Sequence, residues 1–334
     1  MSRLSAYRES ILQTNYDFIK TRVLQTAFEL DIFERIGRES KTAVTLTEEM
    51  NAQVDSLELF LNALVALGFL SSEGKAYQNT KYGLELFLKT SPLYVGDIVR
   101  HYSESSKNWV RLKESVLLNR PVEKFNLFKI VDTQAIERFA QAMHNTAMGH
   151  AELLSKKVSL SRYKTLLDLG GGPGTFTVHF LKENPNLTAT IFDVPPTLKV
   201  TRKLVQDAGF LDRVTFIEGD FNRDLIKGTF DVCFLSHIIH GQGEDQNEAL
   251  FRKIFALLNS KGELIVQDFF LNSDRKSPQF ATLFALHMLV GTDKGRTYSF
   301  DEVERWMSLA GFTRISRSAL KLPRSISLLF AEKP

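Results

Sequence analysis

Thr165-Leu-Leu-Asp-Leu-Gly-Gly-Gly-Pro-Gly174, running directly into Thr175-Phe-Thr-Val-His-Phe-Leu-Lys-Glu183, sets the reading of this chain. An apolar strand, a glycine turn and a helix follow one another without a gap. Further strand-like runs come at residues 189–193, 214–218, 231–235 and 263–267, each separated from the next by a helical segment. Apolar strands alternating with helices predict a parallel sheet covered on both faces. The last two runs, 312–319 and 325–331, are joined by residues 320–324 alone. That link is too short for a parallel crossover, so this pair is expected to be antiparallel. The expected fold class is therefore α/β, a Rossmann-like doubly wound sheet ending in an antiparallel strand.

Working back from residue 165, the pattern changes. In residues 21–36 the apolar positions Val23, Leu24, Ala27, Phe28, Leu30, Ile32, Phe33 and Ile36 give a broad helical face. Residues 46–50 and 57–70 continue as helices, with Thr47 ahead of Glu48 and Glu49 as a helix start. Residues 71–75 then turn between Phe69-Leu70 and Ala76-Tyr77-Gln78, a small hairpin. Three helices and a hairpin form a winged-helix outline, which in other settings reads DNA. Residues 1–100 hold 11 basic and 13 acidic side chains, a net of −2. Phosphate neutralisation supplies most DNA affinity, so this charge argues against nucleic acid. A dimerisation module is favoured, on the reasoning that an apolar helical face lacking its own large core packs on a second copy. Residues 91–160 read as helical throughout, with Trp109, Phe139, Met143 and Met148 at helix-like intervals. The expected organisation is thus 1–90 for dimerisation, 91–160 as a helical connector lining a substrate pocket, and 161–334 as the catalytic domain.

The 334 residues suffice for two domains, and 43% hydrophobic with 24% charged residues is a globular composition. A net charge of +3 gives no field for gripping polyanions. The single cysteine, Cys233, forms no internal disulfide and fits a reducing compartment, so the cytoplasm is expected. Residues 1–20 mix charged and apolar side chains rather than forming a signal segment. The longest apolar stretch, 59–70, is interrupted by Asn62 and falls short of the ~20 residues that span a bilayer. Neither a membrane nor a nucleic acid is an expected partner.

Glycine lacks Cβ, so the backbone at Gly170, Gly172 and Gly174 can take positive φ and approach a ligand closely. Asp193 closes the next strand, nineteen residues after Gly174, where an acid can accept both hydroxyls of a ribose. The glycines recur at every second position, unlike the dinucleotide fingerprint, and Pro173 removes an N–H that a pyrophosphate cradle would use. Asp168 places a negative charge before the turn, suited to a ligand ammonium. A ligand with ribose, an ammonium group and no diphosphate is called for. S-adenosylmethionine meets each requirement.

Asp168-Leu-Gly-Gly-Gly-Pro-Gly174, Asp193-Val-Pro, Gly219-Asp220-Phe221 and Ser236-His-Ile-Ile-His240 together resemble the S-adenosylmethionine-dependent O-methyltransferases of the plant caffeate and animal acetylserotonin type. The resemblance covers nearly the whole chain and implies a homodimer formed through the N-terminal module. It further implies that Gly170, Gly172 and Gly174 line the methionine and ribose, that Asp193 holds the ribose, and that Asp220 and Phe221 border the adenine. Ser236, which opens the histidine segment, is placed with the cofactor residues. Asp220 and Phe221 could equally cap a strand end and fill core. By the same matching, His240 takes the place of the catalytic base and Asp268 that of the acid orienting it.

A phenol titrates near pH 10, so drawing its proton at neutral pH needs a base near the working pH, for which histidine is suited. His237 and His240 could share a helical face, but no cysteine or carboxylate stands at ligand spacing, so no metal is expected. Candidates for lining the small-molecule acceptor pocket are Met143, His144, Phe284, His287 and Met288, each also compatible with core packing. The chain departs from the plant pattern at Gly295, where an acid precedes the Arg-Thr pair, and at Gly241-Gln242, where Asp-Trp follows the base. The expected activity is O-methylation of a small aromatic or polyketide-like metabolite. Two alternatives stay open: the same cofactor serving C- or N-methylation or non-methylating chemistry, and a non-enzymatic winged-helix regulator that senses a ligand.

Overall fold

In a computed structural model the chain divides into two compact units, Met1–Glu104 and Ser105–Pro334. The structure describes residues 2–123 and 133–334, so the part of the helical expectation that falls on 124–132 lies outside the described residues.

The first unit opens with α1 (Arg3–Glu29), whose cap Ser2 accepts a hydrogen bond from the Ser5 N–H. The single helix expected over 21–36 is in fact two. Asp31 takes a left-handed conformation at φ 53° and α2 (Ile32–Ile36) restarts beyond it. The break turns Ile32, Phe33 and Ile36 onto the same core as Ala27 and Phe28, which one straight helix would have spread around its circumference. Arg100 secures the corner, donating to Asp31 Oδ1 and to the Phe28 carbonyl, both at 2.7 Å. After β1 (Ser40–Thr42), α3 (Ala43–Met50) is capped by Thr42, not by Thr47 as expected. Thr47 lies inside the helix and donates its hydroxyl back to the Ala43 carbonyl. Then α4 (Val54–Ala66) leads into the anticipated hairpin, β2 (Leu70–Glu73) and β3 (Ala76–Asn79), with β1 added on the far side of β3. A three-residue strand is too short to show alternation, which is why β1 escaped the sequence reading. The helices α5 (Lys81–Leu86) and α6 (Gly96–Trp109) follow.

One expectation needs correcting here. The apolar face of residues 21–36 is not left for a second copy, because it packs with Leu46, Leu61, Leu64 and Tyr77 into this unit's own core. The apolar side chains that α1 leaves uncovered lie earlier, among them Leu4, Tyr7, Ile11 and Phe18.

The second unit continues with α7 (Leu112–Leu118) and α8 (Thr133–Lys157) and is built on seven strands. These are β4 (Thr165–Leu169), β5 (Thr188–Asp193), β6 (Val214–Glu218), β7 (Phe230–Ser236), β8 (Leu258–Phe269), β9 (Thr313–Arg317) and β10 (Ile326–Glu332). They stand in the order β6-β5-β4-β7-β8-β10-β9, parallel through β8, with β10 antiparallel to both of its neighbours. Successive strand residues face opposite sides, and the core divides accordingly. Leu166, Ile191, Phe234 and Ile265 pack on one face, while Leu167, Phe192, Leu235 and Val266 pack on the other. The helices α9 (Thr175–Glu183), α10 (Pro195–Asp207), α11 (Glu244–Leu257), α12 (Gln279–Gly291) and α13 (Phe300–Ala310) complete the unit. Five adjacent parallel strands thus bring their carboxyl ends to one edge, where sheets of this kind bind ligands. Among the described residues, no helix is long and apolar enough to cross a membrane.

Candidate active site

The strand β4 ends in a loop whose alternate glycines all have positive φ: 69° at Gly170, 53° at Gly172 and 74° at Gly174. A Cβ at Gly170 would strike the Ile238 side chain, whereas one at Gly172 would meet nothing within 4 Å. The loop is therefore closed at its root and open at its crest. Asp193, at the end of β5, holds that crest. Its Oδ2 accepts from the Gly172 N–H at 2.8 Å and its Oδ1 from the Val194 N–H at 2.7 Å. The Thr197 side chain bonds the same carboxylate, so three groups of the protein hold Asp193 in place. Thr201 on α10 fixes the loop from the other side, donating to the Gly172 carbonyl at 2.6 Å.

Asp168 lies under the loop rather than on it. It is buried, accepts from Thr177 Oγ1 at 2.6 Å, and would touch a Cβ at Gly171 at 2.8 Å. Burial, with Asp193 nearby, pushes its pKa up to about 7 despite the Thr177 hydrogen bond. Asp220 follows β6, and its Oδ1 accepts from the Asn222 N–H, so it caps its own turn. Phe221 stands 3.5 Å from the position a Gly170 Cβ would take, which brings the Gly219-Asp220-Phe221 segment against the glycine loop.

At the ends of β7 and β8 the second half of the site assembles. His240 Nδ1 and Asp268 Oδ1 are 2.7 Å apart, and the same oxygen accepts from the Phe269 N–H at 2.8 Å. Burial alone would raise Asp268, but the charge and hydrogen bond of His240, with His237 close by, hold it below the usual carboxylate range. The imidazole lies against the rings of Phe284 and Phe269, with centroids at 4.9 and 6.1 Å. His237 follows Ser236 in a left-handed turn at φ 56°, its N–H bonded to the Gln267 carbonyl at 2.8 Å. Burial drives its pKa down to about 3, so it is neutral. Its Nδ1 is 3.8 Å from Asp268 Oδ1, so the carboxylate absent from the local histidine spacing arrives from the neighbouring strand.

The remaining candidates separate by position. Phe284 packs on His240, and His287 packs on Phe284 while accepting from Trp109 Nε1 at 3.2 Å. His144 instead meets Thr175 Oγ1 at 2.8 Å, at the end of the glycine loop. Met288 is buried on α12 and Met143 half-buried on α8. Ser236 belongs with the base corner, since its hydroxyl lies 3.0 Å from Gln267 Nε2. Sequence reading missed Gln267, whose amide links Ser236 and His237, and missed Thr177 and Thr201. No spacing signals a side chain that acts only through another strand or helix. At Gly295 a Cβ would meet both the His240 carbonyl and Thr292 Oγ1 at 2.5 Å, so the loop lies directly on the backbone of His240 and leaves no room for an acid.

The strand order β6-β5-β4-β7-β8-β10-β9, with one antiparallel strand inserted beside the last edge, is the sheet found in S-adenosylmethionine-dependent methyltransferases. The O-methyltransferase domain model matches residues 109–313 and the O-methyltransferase dimerisation domain model residues 12–90, and the chain belongs to this family of S-adenosylmethionine-dependent enzymes acting on polyketides and small molecules. It is 31% identical over 325 residues to the tetracenomycin polyketide synthesis 8-O-methyl transferase TcmO of Streptomyces glaucescens, covering 95% of each chain. It is 26% identical to 3-hydroxy-5-methyl-1-naphthoate 3-O-methyltransferase of Streptomyces sahachiroi, over 89% of this chain and 87% of that one. Its fold resembles that of human N-acetylserotonin methyltransferase solved with SAM, with a TM-score of 0.88 at 23% identity over 100% and 98% of the two chains.

Proposed function

We propose that the protein transfers a methyl group to a hydroxyl of a small aromatic, polyketide-like acceptor, with His240 as general base. The observation that carries this reading is the 2.7 Å pairing of His240 Nδ1 with the buried Asp268. That pairing fixes the proton on Nδ1 and leaves Nε2 with its lone pair for the acceptor proton. Asp268 then stabilises the imidazolium formed when the hydroxyl is deprotonated. The rings of Phe284 and Phe269 offer an aromatic acceptor flat apolar surface beside the base. The names of the two bacterial relatives, a polyketide and a naphthoate methyltransferase, favour a fused or hydroxylated ring over other small molecules.

For the cofactor, the fit is an open loop crest with a half-buried acid beneath it. Asp193 would take the ribose hydroxyls, Gly170, Gly172 and Gly174 would allow close approach, and Phe221 would flank the adenine. Asp220 would border it, Asp168 would support the loop from below through Thr177, and Ser236 would act from the strand end. S-adenosylmethionine supplies the methyl as an electrophile, leaving the protein to align the acceptor oxygen and draw its proton, and alignment alone can be worth ~7–11 kcal/mol. Phe284, His287 and Met288 on α12, with Met143 and His144 on α8, are the proposed lining. Residues 1–90 serve as a homodimerisation arm, 91–160 as the connector and 161–334 as the catalytic domain.

Mass spectrometry of hydroxylated naphthalenes and anthraquinones incubated with enzyme and cofactor should show the gain of one CH2 unit. His240→Ala should lower turnover by a factor on the order of 10² to 10⁴ while leaving cofactor binding intact. Unchanged turnover in that variant would reject the base assignment.

A further inference from the structure

The base corner contains more ligand atoms than proton transfer uses. His237, His240 and Asp268 each offer a ligand atom, and these atoms all lie within 4.8 Å of one another. Two polar atoms of the same cluster, His237 Nδ1 and Asp268 Oδ2, are buried without a hydrogen-bond partner among the described residues. Unpartnered buried polar atoms are costly, and two in one cluster point to a further occupant.

The geometry is close to that of a coordination sphere. Bonds of ~2.0–2.1 Å to a tetrahedral ion place neighbouring ligand atoms roughly 3.3 Å apart. Asp268 Oδ1 stands 2.7 Å from His240 Nδ1 and 3.8 Å from His237 Nδ1, so small and opposite shifts bring both onto that spacing, while the two imidazoles, within 4.8 Å, have to draw together. Supporting contacts are already present. His237 Nε2 lies 3.1 Å from the Gln267 amide, the outer contact that a metal-bound imidazole makes through its second nitrogen. With the amide oxygen turned to that contact it accepts Nε2–H and leaves the Nδ1 lone pair facing Asp268. Two imidazoles and one carboxylate suit zinc and its transition-metal neighbours rather than magnesium or calcium.

We propose that His237, His240 and Asp268 form an inhibitory site for a Zn2+-like dication, with the fourth position left to water. The metal takes the place of the proton on His240 Nδ1. That proton passes to Nε2, so the imidazole stays neutral but presents N–H where the acceptor needs a lone pair. Loss of turnover therefore rests on His240 being the base, whereas metal binding does not.

Two readouts keep these apart. Co2+ added to the full-length protein should give the visible d–d absorption of a tetrahedral nitrogen-oxygen site, which Zn2+ displaces and Mg2+ does not. Zn2+ should suppress methyl transfer reversibly, with EDTA restoring it. His237→Phe and, as a milder change, His237→Gln should weaken Co2+ binding roughly tenfold or more and leave the turnover that each variant retains insensitive to Zn2+. If wild-type protein gives no cobalt band, or both variants bind Co2+ as wild type does, the site is refuted. A cobalt band with unimpaired turnover would overturn the inhibitory role and, with it, count against His240 as base.

Discussion

At the end of β5, Asp193 gives one oxygen to the Gly172 N–H and the other to Val194, and Thr201 secures the Gly172 carbonyl. At the ends of β7 and β8, along the same sheet edge, Asp268 Oδ2 and His237 Nδ1 have no hydrogen-bond partner among the described residues. The glycine loop is a finished backbone structure whose crest is tied by Asp193 and Thr201. The His240 corner instead keeps buried polar capacity in reserve, as expected where chemistry rather than stability sets the side chains. Substitutions should therefore act differently on the two regions, with binding lost at the loop and turnover lost at the corner.

The sharpest contrast should come from Asp193→Ala. It removes the acceptor for two backbone N–H groups as well as the acid proposed for the ribose, and losing one partner of such a set costs about 2–5 kcal/mol. Calorimetry with S-adenosylhomocysteine should show binding weakened accordingly, and wild-type affinity would break the comparison. Gly295→Ala tests the other region. Its Cβ would press on the His240 carbonyl, and a displaced base can cost up to about 10² in kcat with little change in cofactor affinity. Restoring an acid there as Gly295→Glu should impair turnover for the same reason.

A smaller effect is expected beneath the loop. Asp168 titrates near pH 7 in the fold but near 3.8 when unfolded, so between those values the native state holds the extra proton. Stability should fall as pH rises through this window, and Asp168→Asn, which still accepts from Thr177, should flatten the fall. Melting temperatures at pH 5 and pH 8 for both proteins measure this, and parallel slopes would show that Asp168 does not carry it. Least effect on the chemistry is expected from Ile11→Glu combined with Phe18→Glu on the uncovered part of α1. Sedimentation should show the proposed dimer dissociate while cofactor affinity is unchanged.

How much of this could be read from the sequence depended on how local each signal was. The strands β4 and β6 were placed to the residue, because apolar runs bounded by glycine or a turn carry their own boundaries. The single helix drawn over 21–36 failed at Asp31, since periodicity records which residues are buried and not where the axis turns to bury them. For the same reason the apolar face assigned to a second copy belongs to the unit's own core.

By itself the amino-acid order determined the alternation of strand and helix, the antiparallel closing pair, the glycine loop and the acid one strand away. Each of these is a matter of spacing along a regular path. Tertiary structure alone decided that Asp268 faces His240 from 28 residues away, that His237 joins them, and that Gly295 closes on the base. Sheet order, not sequence distance, sets which strand ends are neighbours, and only neighbours can share a proton.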